Sequence, residues 1–224
     1  MQLDLPKQYL KIENKTIIEH TLACFINYND IAGIVVALDA DDPYWKLLNI
    51  ESNSTPVYTV EGGSERPDSV MQALDYLIMV EKVPNDSWVL VHDAARPCLS
   101  RCDLDALLDI RAYSKVGGIL ASRVRDTMKR SLPGKKQVLM TESRTDLWHA
   151  LTPQMFRLGQ LKKAMQSCHE RNIQMTDEAS AIEVMGDQPE LVEGSYNNIK
   201  ITLPSDIELA TCLLNHNNDT SVSS

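Results

Sequence analysis

The chain reads as an α/β protein: a mostly parallel sheet with helices on its faces and a hairpin β-arm projecting from it. Three observations predict this. Continuous apolar runs of strand length, residues 32–38 above all, suit strands covered on both faces. Between the runs lie stretches with apolar residues at helical spacing, such as Val70, Leu74, Leu77 and Ile78. Residues 124–152 break this alternation with charges and a Pro133-Gly134 turn.

In chain order, residues 6–10 are loop-like and stand directly before the first helix. No Gly-rich turn occurs before residue 30, although a doubly wound sheet normally opens on a strand and a phosphate-binding turn. Thr16-Ile17-Ile18-Glu19 is a capping-box start for a helix running to about residue 27. Residues 32–38 and 55–60 are the first two strands, and residues 66–82 a helix. Residues 88–91 form a third buried strand ending in His92-Asp93. Asp103 is the expected cap of a helix carrying Leu104, Leu107 and Leu108. Residues 118–121 are a fourth strand. The arm, 124–152, contains a β-like stretch at 137–141; left alone it would expose open strand edges, so it is expected to pair with the arm of a second copy. Met155 and Phe156 read as core. A helix spans about 158–171 and another begins at Thr176, with Asp177 and Glu178 complementing its dipole. Residues 191–193 and 198–202 are short strands. Pro204-Ser205-Asp206 opens a last helix to about residue 214, and the Asn- and Ser-rich stretch 215–224 reads as disordered, leaving 1–214 as one domain.

Composition narrows the function. The 224 residues are 43% hydrophobic and 24% charged, ordinary for a globular protein with a real core. No apolar run approaches the roughly 18 residues that span a bilayer, and residues 1–7 carry no apolar signal core. Five scattered cysteines complete no zinc spacing and read as free thiols in a cytoplasmic protein; Cys98 and Cys102 are expected to be buried. The net charge of −9 argues against nucleic acid as a partner. An anionic ligand therefore needs a local basic cluster working against the global field.

Ligands of open α/β sheets sit outside the carboxyl ends of the strands. Gly62-Gly63-Ser64-Glu65-Arg66-Pro67-Asp68-Ser69 follows the second strand; its glycines let backbone amides approach a flat base, though the stretch also reads as a plain turn and helix start. His92-Asp93-Ala94-Ala95-Arg96-Pro97 follows the third. There Asp93 can hold a divalent cation and Arg96 can grip phosphate, or the two can form a structural pair. His92 reads as a hydrogen-bonding structural residue rather than a base. Lys7, Arg125, Thr127, Lys129, Arg130, Arg144 and Lys200 form a dispersed third group, mostly solvated. Lys200, between Ile199 and Ile201, faces either solvent or a site.

Taken together, Pro-Lys-Gln-Tyr-Leu (6–10), Gly-Gly-Ser-Glu-Arg (62–66), Val-His-Asp-Ala-Ala-Arg-Pro (91–97), Val-Arg-Asp-Thr-Met-Lys (124–129), Leu-Trp-His-Ala-Leu-Thr-Pro-Gln (147–154), Thr-Asp-Glu-Ala-Ser (176–180) and Asn-Ile-Lys-Ile-Thr (198–202) resemble the 2-C-methyl-D-erythritol 4-phosphate cytidylyltransferase family of the non-mevalonate isoprenoid pathway. The likeness runs in order from Met1 to about Leu214, and the 92–97 segment is the family's specific signature. It implies a Rossmann-like α/β domain whose β-arm interlocks two subunits as a homodimer, and a reaction of CTP with a sugar-alcohol phosphate, methylerythritol phosphate, that uses Mg²⁺ and releases pyrophosphate. It also implies catalytic roles for Lys7 and Lys200 and base recognition at Gly63 and Ser69. Further nucleotide contacts fall at Asp93 and Ala94, and the metal contact at Asp93. Acceptor contacts fall at Arg96, Thr127, Arg144, Thr152 and Thr176, those on the arm serving the partner's site. The family carries an apolar strand and a loop like Ala-Ala-Gly-x-Gly-x-Arg ahead of the position of Met1. The expectation is a start placed too late, and weak CTP binding with little turnover by the chain as written. The alternatives are a ribitol-phosphate cytidylyltransferase and a non-catalytic dimerising remnant.

Overall fold

The computed structural model describes residues 5–221. A 3-10 turn at Lys7–Tyr9 leads into a small hairpin, β1 (Lys11–Ile12) and β2 (Lys15–Thr16). The expected capping box starts α1 (Ile17–Ala23): Thr16 Oγ1 accepts the Glu19 N–H at 3.3 Å and Glu19 Oε2 accepts the Thr16 N–H at 2.7 Å. This helix is shorter than the sequence suggested. β3 (Ile34–Leu38) and β4 (Val57–Glu61) pair in parallel, and α2 (Arg66–Met79) follows with Pro67 in its first turn.

β5 (Trp88–Val91) precedes α3 (Arg101–Asp109). The cap of α3 is Ser100, whose hydroxyl accepts the Asp103 N–H at 3.1 Å. Asp103 is therefore not the cap; its carboxylate instead accepts the Ser195 N–H at 3.1 and 3.2 Å. Cys98 is buried as expected, whereas Cys102 lies on the outer face of α3 and is exposed.

After β6 (Gly117–Arg123), β7 (Met128–Ser131) and β8 (Val138–Glu142) form an antiparallel hairpin over the Pro133-Gly134 turn. Next comes a strand that the sequence reading split between arm and core, β9 (Trp148–Arg157). Its apolar residues alternate with no clean period, and Pro153 argues against a central strand. The ladder accommodates the proline in a bulge: Ile119 pairs with Gln154 and Ala121 with Ala150, so residues 151–153 stand opposite Leu120 alone. The chain ends with α4 (Leu158–Glu170), α5 (Glu178–Val184), β10 (Glu190–Glu193) and α6 (Ser205–Ser221).

The main sheet runs β10-β6-β9-β5. β10 and β6 are parallel, but β9 is antiparallel to both neighbours, so the sheet is mixed rather than mostly parallel. The hairpin connection through β7 and β8 returns the chain beside β6 in the opposite sense, where a helical crossover would have kept it parallel. Residues 198–202 form no strand; a single ladder-like bond, Ile201 N–H to the Ala95 carbonyl at 2.9 Å, replaces the expected pairing. α6 continues past residue 214 to Ser221, in a segment with no proline or glycine to stop it, and 222–224 lie outside the described residues.

The sheet is covered on both faces. Ile119 and Phe156 join Leu158, Leu161 and Ile182 in one core, while Leu120 and Met155 join Leu104, Leu107 and Leu108 in the other. Adjacent residues of β6 and β9 thus supply opposite layers, as the pleat requires. β3–β4 is a separate pair. β3 and β5 line a largely apolar cleft of about 540 Å³, with Leu22 of α1 and Leu74 and Leu77 of α2 among its other lining residues. This explains why neither strand is fully buried, against the expectation of strands covered on both faces. Among the described residues, no helix is long and apolar enough to cross a membrane.

Candidate active site

The polar end of that cleft is the carboxyl end of β5. His92 and Asp93 leave the strand, and the chain turns at once through Ala94 and Arg96, with the Arg96 N–H bonding the Asp93 carbonyl at 3.1 Å. The Asp93 carboxylate is 9% exposed and meets three cations. Its Oδ1 accepts from Arg66 Nε at 3.1 Å. Its Oδ2 accepts from Arg96 Nε at 3.2 Å and lies 3.1 Å from Lys200 Nζ. Burial pushes the Asp93 pKa up, but Arg66, Lys200 and Arg96 outweigh it and hold the group at about 2. Arg66 continues to Glu178, donating from Nη1 at 2.6 Å and Nη2 at 2.9 Å. Burial raises the Glu178 pKa and the Arg66 fork opposes it; the bidentate geometry is that of an ionised pair. Three cations against two carboxylates leave the cluster with an excess positive charge inside a protein of net charge −9.

The backbone beneath Asp93 is braced by the β9 bulge. Thr152 Oγ1 accepts the Asp93 N–H at 3.1 Å and lies 3.0 Å from His92 Nδ1. His92 Nε2 is 3.1 Å from the Arg96 carbonyl, a contact that places the proton on Nε2 and lets Nδ1 accept from Thr152. Burial lowers the His92 pKa to about 4, so the ring is neutral and spent on structure, as the sequence suggested. Asn198, buried, donates to the Thr152 carbonyl at 2.8 Å, and its own carbonyl accepts from Arg96 Nη1 at 2.7 Å; its Oδ1 has no partner among the described residues.

The structure thus joins Asp93, Arg96, Thr152 and Lys200 in one cluster, with Ala94 at its exposed edge and the Ala94 carbonyl accepting from Thr21 Oγ1 at 2.9 Å. Arg96 and Thr152 are buried, and their bonds to Asp93 make them its supports in this state. Gly63 and Ser69 stand beside Arg66 at the start of α2, where the Gly63 N–H donates to Ser69 Oγ at 3.1 Å. A Cβ at Gly63 would meet the Asp68 Cβ at 2.1 Å, so this tight turn needs glycine. Thr176 is exposed two residues before Glu178. Lys7 is exposed on the opening turn, and the following Leu10 and Ile12 pack with Ile199 and Ile201, the chain neighbours of Lys200.

Thr127 and Arg144 are exposed on the arm, where Arg144 bonds the Arg125 carbonyl. Three other arm cations are occupied locally: Arg125 stacks 3.3 Å from the Tyr196 ring centroid, Lys129 bonds Thr141, and Arg130 pairs with Glu142. Sequence reasoning assigned no site role to Arg66, Glu178 or Asn198, and read Glu178 only as complementing a helix dipole. Each lies inside a quoted motif, but only the fold shows that these motifs meet. Among the described residues, no group of three or more His, Cys, Asp or Glu side chains is placed to hold a metal.

Residues 1–216 match the family IspD: 2-C-methyl-D-erythritol 4-phosphate cytidylyltransferase. The enzyme of that name from Pseudomonas putida (strain GB-1) is 49% identical over 209 residues, 93% of this chain and 87% of that protein. The one from Actinobacillus pleuropneumoniae serotype 7 is 49% identical over 219 residues, 98% of this chain and 92% of that protein. The crystal structure of the Francisella tularensis enzyme superposes with a TM-score of 0.81 at 40% identity, covering 94% of each chain. With the signature turn carrying Asp93 and Arg96 at a strand end, Lys200 against it, and similarity along nearly the whole length, the chain belongs to the 2-C-methyl-D-erythritol 4-phosphate cytidylyltransferase family.

Proposed function

We propose that the protein transfers the cytidylyl group of CTP to 2-C-methyl-D-erythritol 4-phosphate in isoprenoid precursor synthesis. An acceptor phosphate oxygen attacks the α-phosphorus of CTP, a new P–O bond forms, and the bond to the β-phosphate breaks to release pyrophosphate. The observation that carries this reading is the net positive cluster of Arg66, Arg96 and Lys200 around Asp93, between the Gly63 turn and the Thr176 segment. The attacking phosphate is already an anion and needs no general base, in keeping with a neutral His92. The barrier lies in bringing two anions together and spreading charge in the transition state, so positioning and electrostatic stabilisation dominate.

Lys200 is half-exposed and releasable from Asp93, and with Lys7 it would flank the α-phosphate. Gly63 and Ser69 would receive the base, Ala94 the nucleotide, and Thr176 the acceptor phosphate, with Arg96 and Thr152 contributing from behind Asp93. Mg²⁺ fits this donor set, because it commonly takes one or two carboxylates and completes its shell with phosphate and water. Asp93, ionised down to about pH 2, is the residue that would hold it, and the ion would neutralise charge on the phosphates.

The arm would pair with the arm of a second copy and present Thr127 and Arg144 to that copy's site. The exposed apolar residues of β8 support this. Incubation with CTP, Mg²⁺ and either 2-C-methyl-D-erythritol 4-phosphate or ribitol 5-phosphate tests the reaction, with phosphorus NMR following product and pyrophosphate. Product from the methylerythritol substrate is expected. Turnover of ribitol 5-phosphate alone, or of neither, would overturn the reading.

A further inference from the structure

We infer that the Arg66–Glu178 pair, its carboxylate buried and its guanidinium partly exposed, is the positioning element of this site, orienting the Asp93 carboxylate and tying the Gly63 turn to the Thr176 segment. The inference rests on the cytidylyl-transfer reading above. Arg66 is the first residue of α2 and Glu178 the first of α5, so the pair bolts two helix starts together. Glu178 is 1% exposed and takes both Nη donors of Arg66, at 2.6 and 2.9 Å. The third nitrogen, Nε, donates to Asp93 Oδ1 at 3.1 Å.

One rigid, planar guanidinium therefore touches two carboxylates, and fixing its plane on Glu178 fixes where Nε meets Asp93. A lysine would satisfy one oxygen as a point charge and could not transmit orientation. Stability alone does not account for such a pair, since desolvating the buried Glu178 carboxylate offsets much of its attraction to the partly exposed Arg66. Gly63 precedes Arg66 by three residues and Thr176 precedes Glu178 by two. The nucleotide and acceptor ends of the site thus share this one brace.

The test uses Arg66→Lys, Glu178→Gln and the double variant Arg66→Met/Glu178→Leu, which leaves neither member of the pair as an unmatched charge. Thermal unfolding, kcat and KM for both substrates, and the Mg²⁺ dependence of CTP binding by calorimetry are measured. Each single variant is expected to lower kcat by roughly 10–100-fold, the usual effect of losing a partner behind a liganding group. Each should raise by a similar factor the Mg²⁺ concentration needed for half-maximal CTP binding. The double variant is expected to regain the wild-type Tm but neither kcat nor the Mg²⁺ dependence. A double variant with wild-type values of both would make the pair merely structural and overturn the inference. Should it fail to fold, Arg66→Lys decides: unchanged kcat and Mg²⁺ dependence overturn the inference equally. If the wild type binds CTP with Mg²⁺ but transfers nothing, the reaction reading fails while the calorimetry still decides the role of the pair. A wild type that binds no CTP overturns both.

Discussion

Neighbouring residues at the end of β5 titrate in separate windows. His92 has a folded pKa of about 4 against an ordinary 6.5. The unfolded chain takes up this proton below about pH 6.5 and the folded chain refuses it until about pH 4, so stability falls as pH drops through that window. The full effect is roughly 3 kcal/mol. Urea midpoints measured from pH 7 to 4.5 should fall steadily, and His92→Gln should flatten the slope; an unchanged slope in the variant would mean His92 is not the group. Asp93 has the opposite origin but acts lower down, its stabilisation present above about 3.8 and lost as pH falls toward 2. Lys200→Ala should lower kcat by about 10²–10³, as for a lost oxyanion donor, with a small change in CTP affinity. A comparable loss in affinity and none in kcat would make Lys200 a docking residue.

Within α3, the cap and the anchor are different residues. Ser100 closes the helix start, while Asp103 faces inward to the Ser195 N–H and helps hold the loop that leads to Asn198 and Lys200. Ser100→Ala should cost about 1 kcal/mol. That is a fall of roughly 2–4 °C in Tm for a chain of this size. A neutral result by calorimetry would show that Ser100 is not the effective cap. The β9 bulge is the other element with a direct consequence for the site. It shelters Pro153 from the ladder and turns the Thr152 hydroxyl toward the Asp93 N–H.

For the whole molecule, the arm is the feature least accounted for by one chain. On β8, Val138 is 63%, Leu139 51% and Met140 50% exposed, an apolar strip on both faces of a two-stranded ribbon. A two-stranded hairpin with open edges and this surface calls for a covering partner. Sedimentation at micromolar concentration should show a dimer, and Val138→Asp/Met140→Asp should shift it to monomer and reduce turnover, since Thr127 and Arg144 would lose the partner's site. A wild-type monomer would refute the arm pairing.

The sequence by itself determined much of the local structure and several members of the candidate site. The capping box at Thr16 and the periodicity from Arg66 are nearest-neighbour effects, and the polar turn after β5 follows a strand that its own apolar run defines. The motifs likewise contained Asp93, Arg96, Thr152 and Lys200 before their distances were known. Tertiary structure decided what depends on residues far apart in the chain. β9 is antiparallel because the hairpin arm returns it beside β6, and a bulge makes room for its proline. Arg66 meets Glu178 across 112 positions, and Arg96 meets the Asn198 carbonyl across 102. No pattern within a window of residues encodes such contacts. They arise when the helix and strand ends converge at the carboxyl edge of the sheet, where buried charges must find partners at a distance set by the fold.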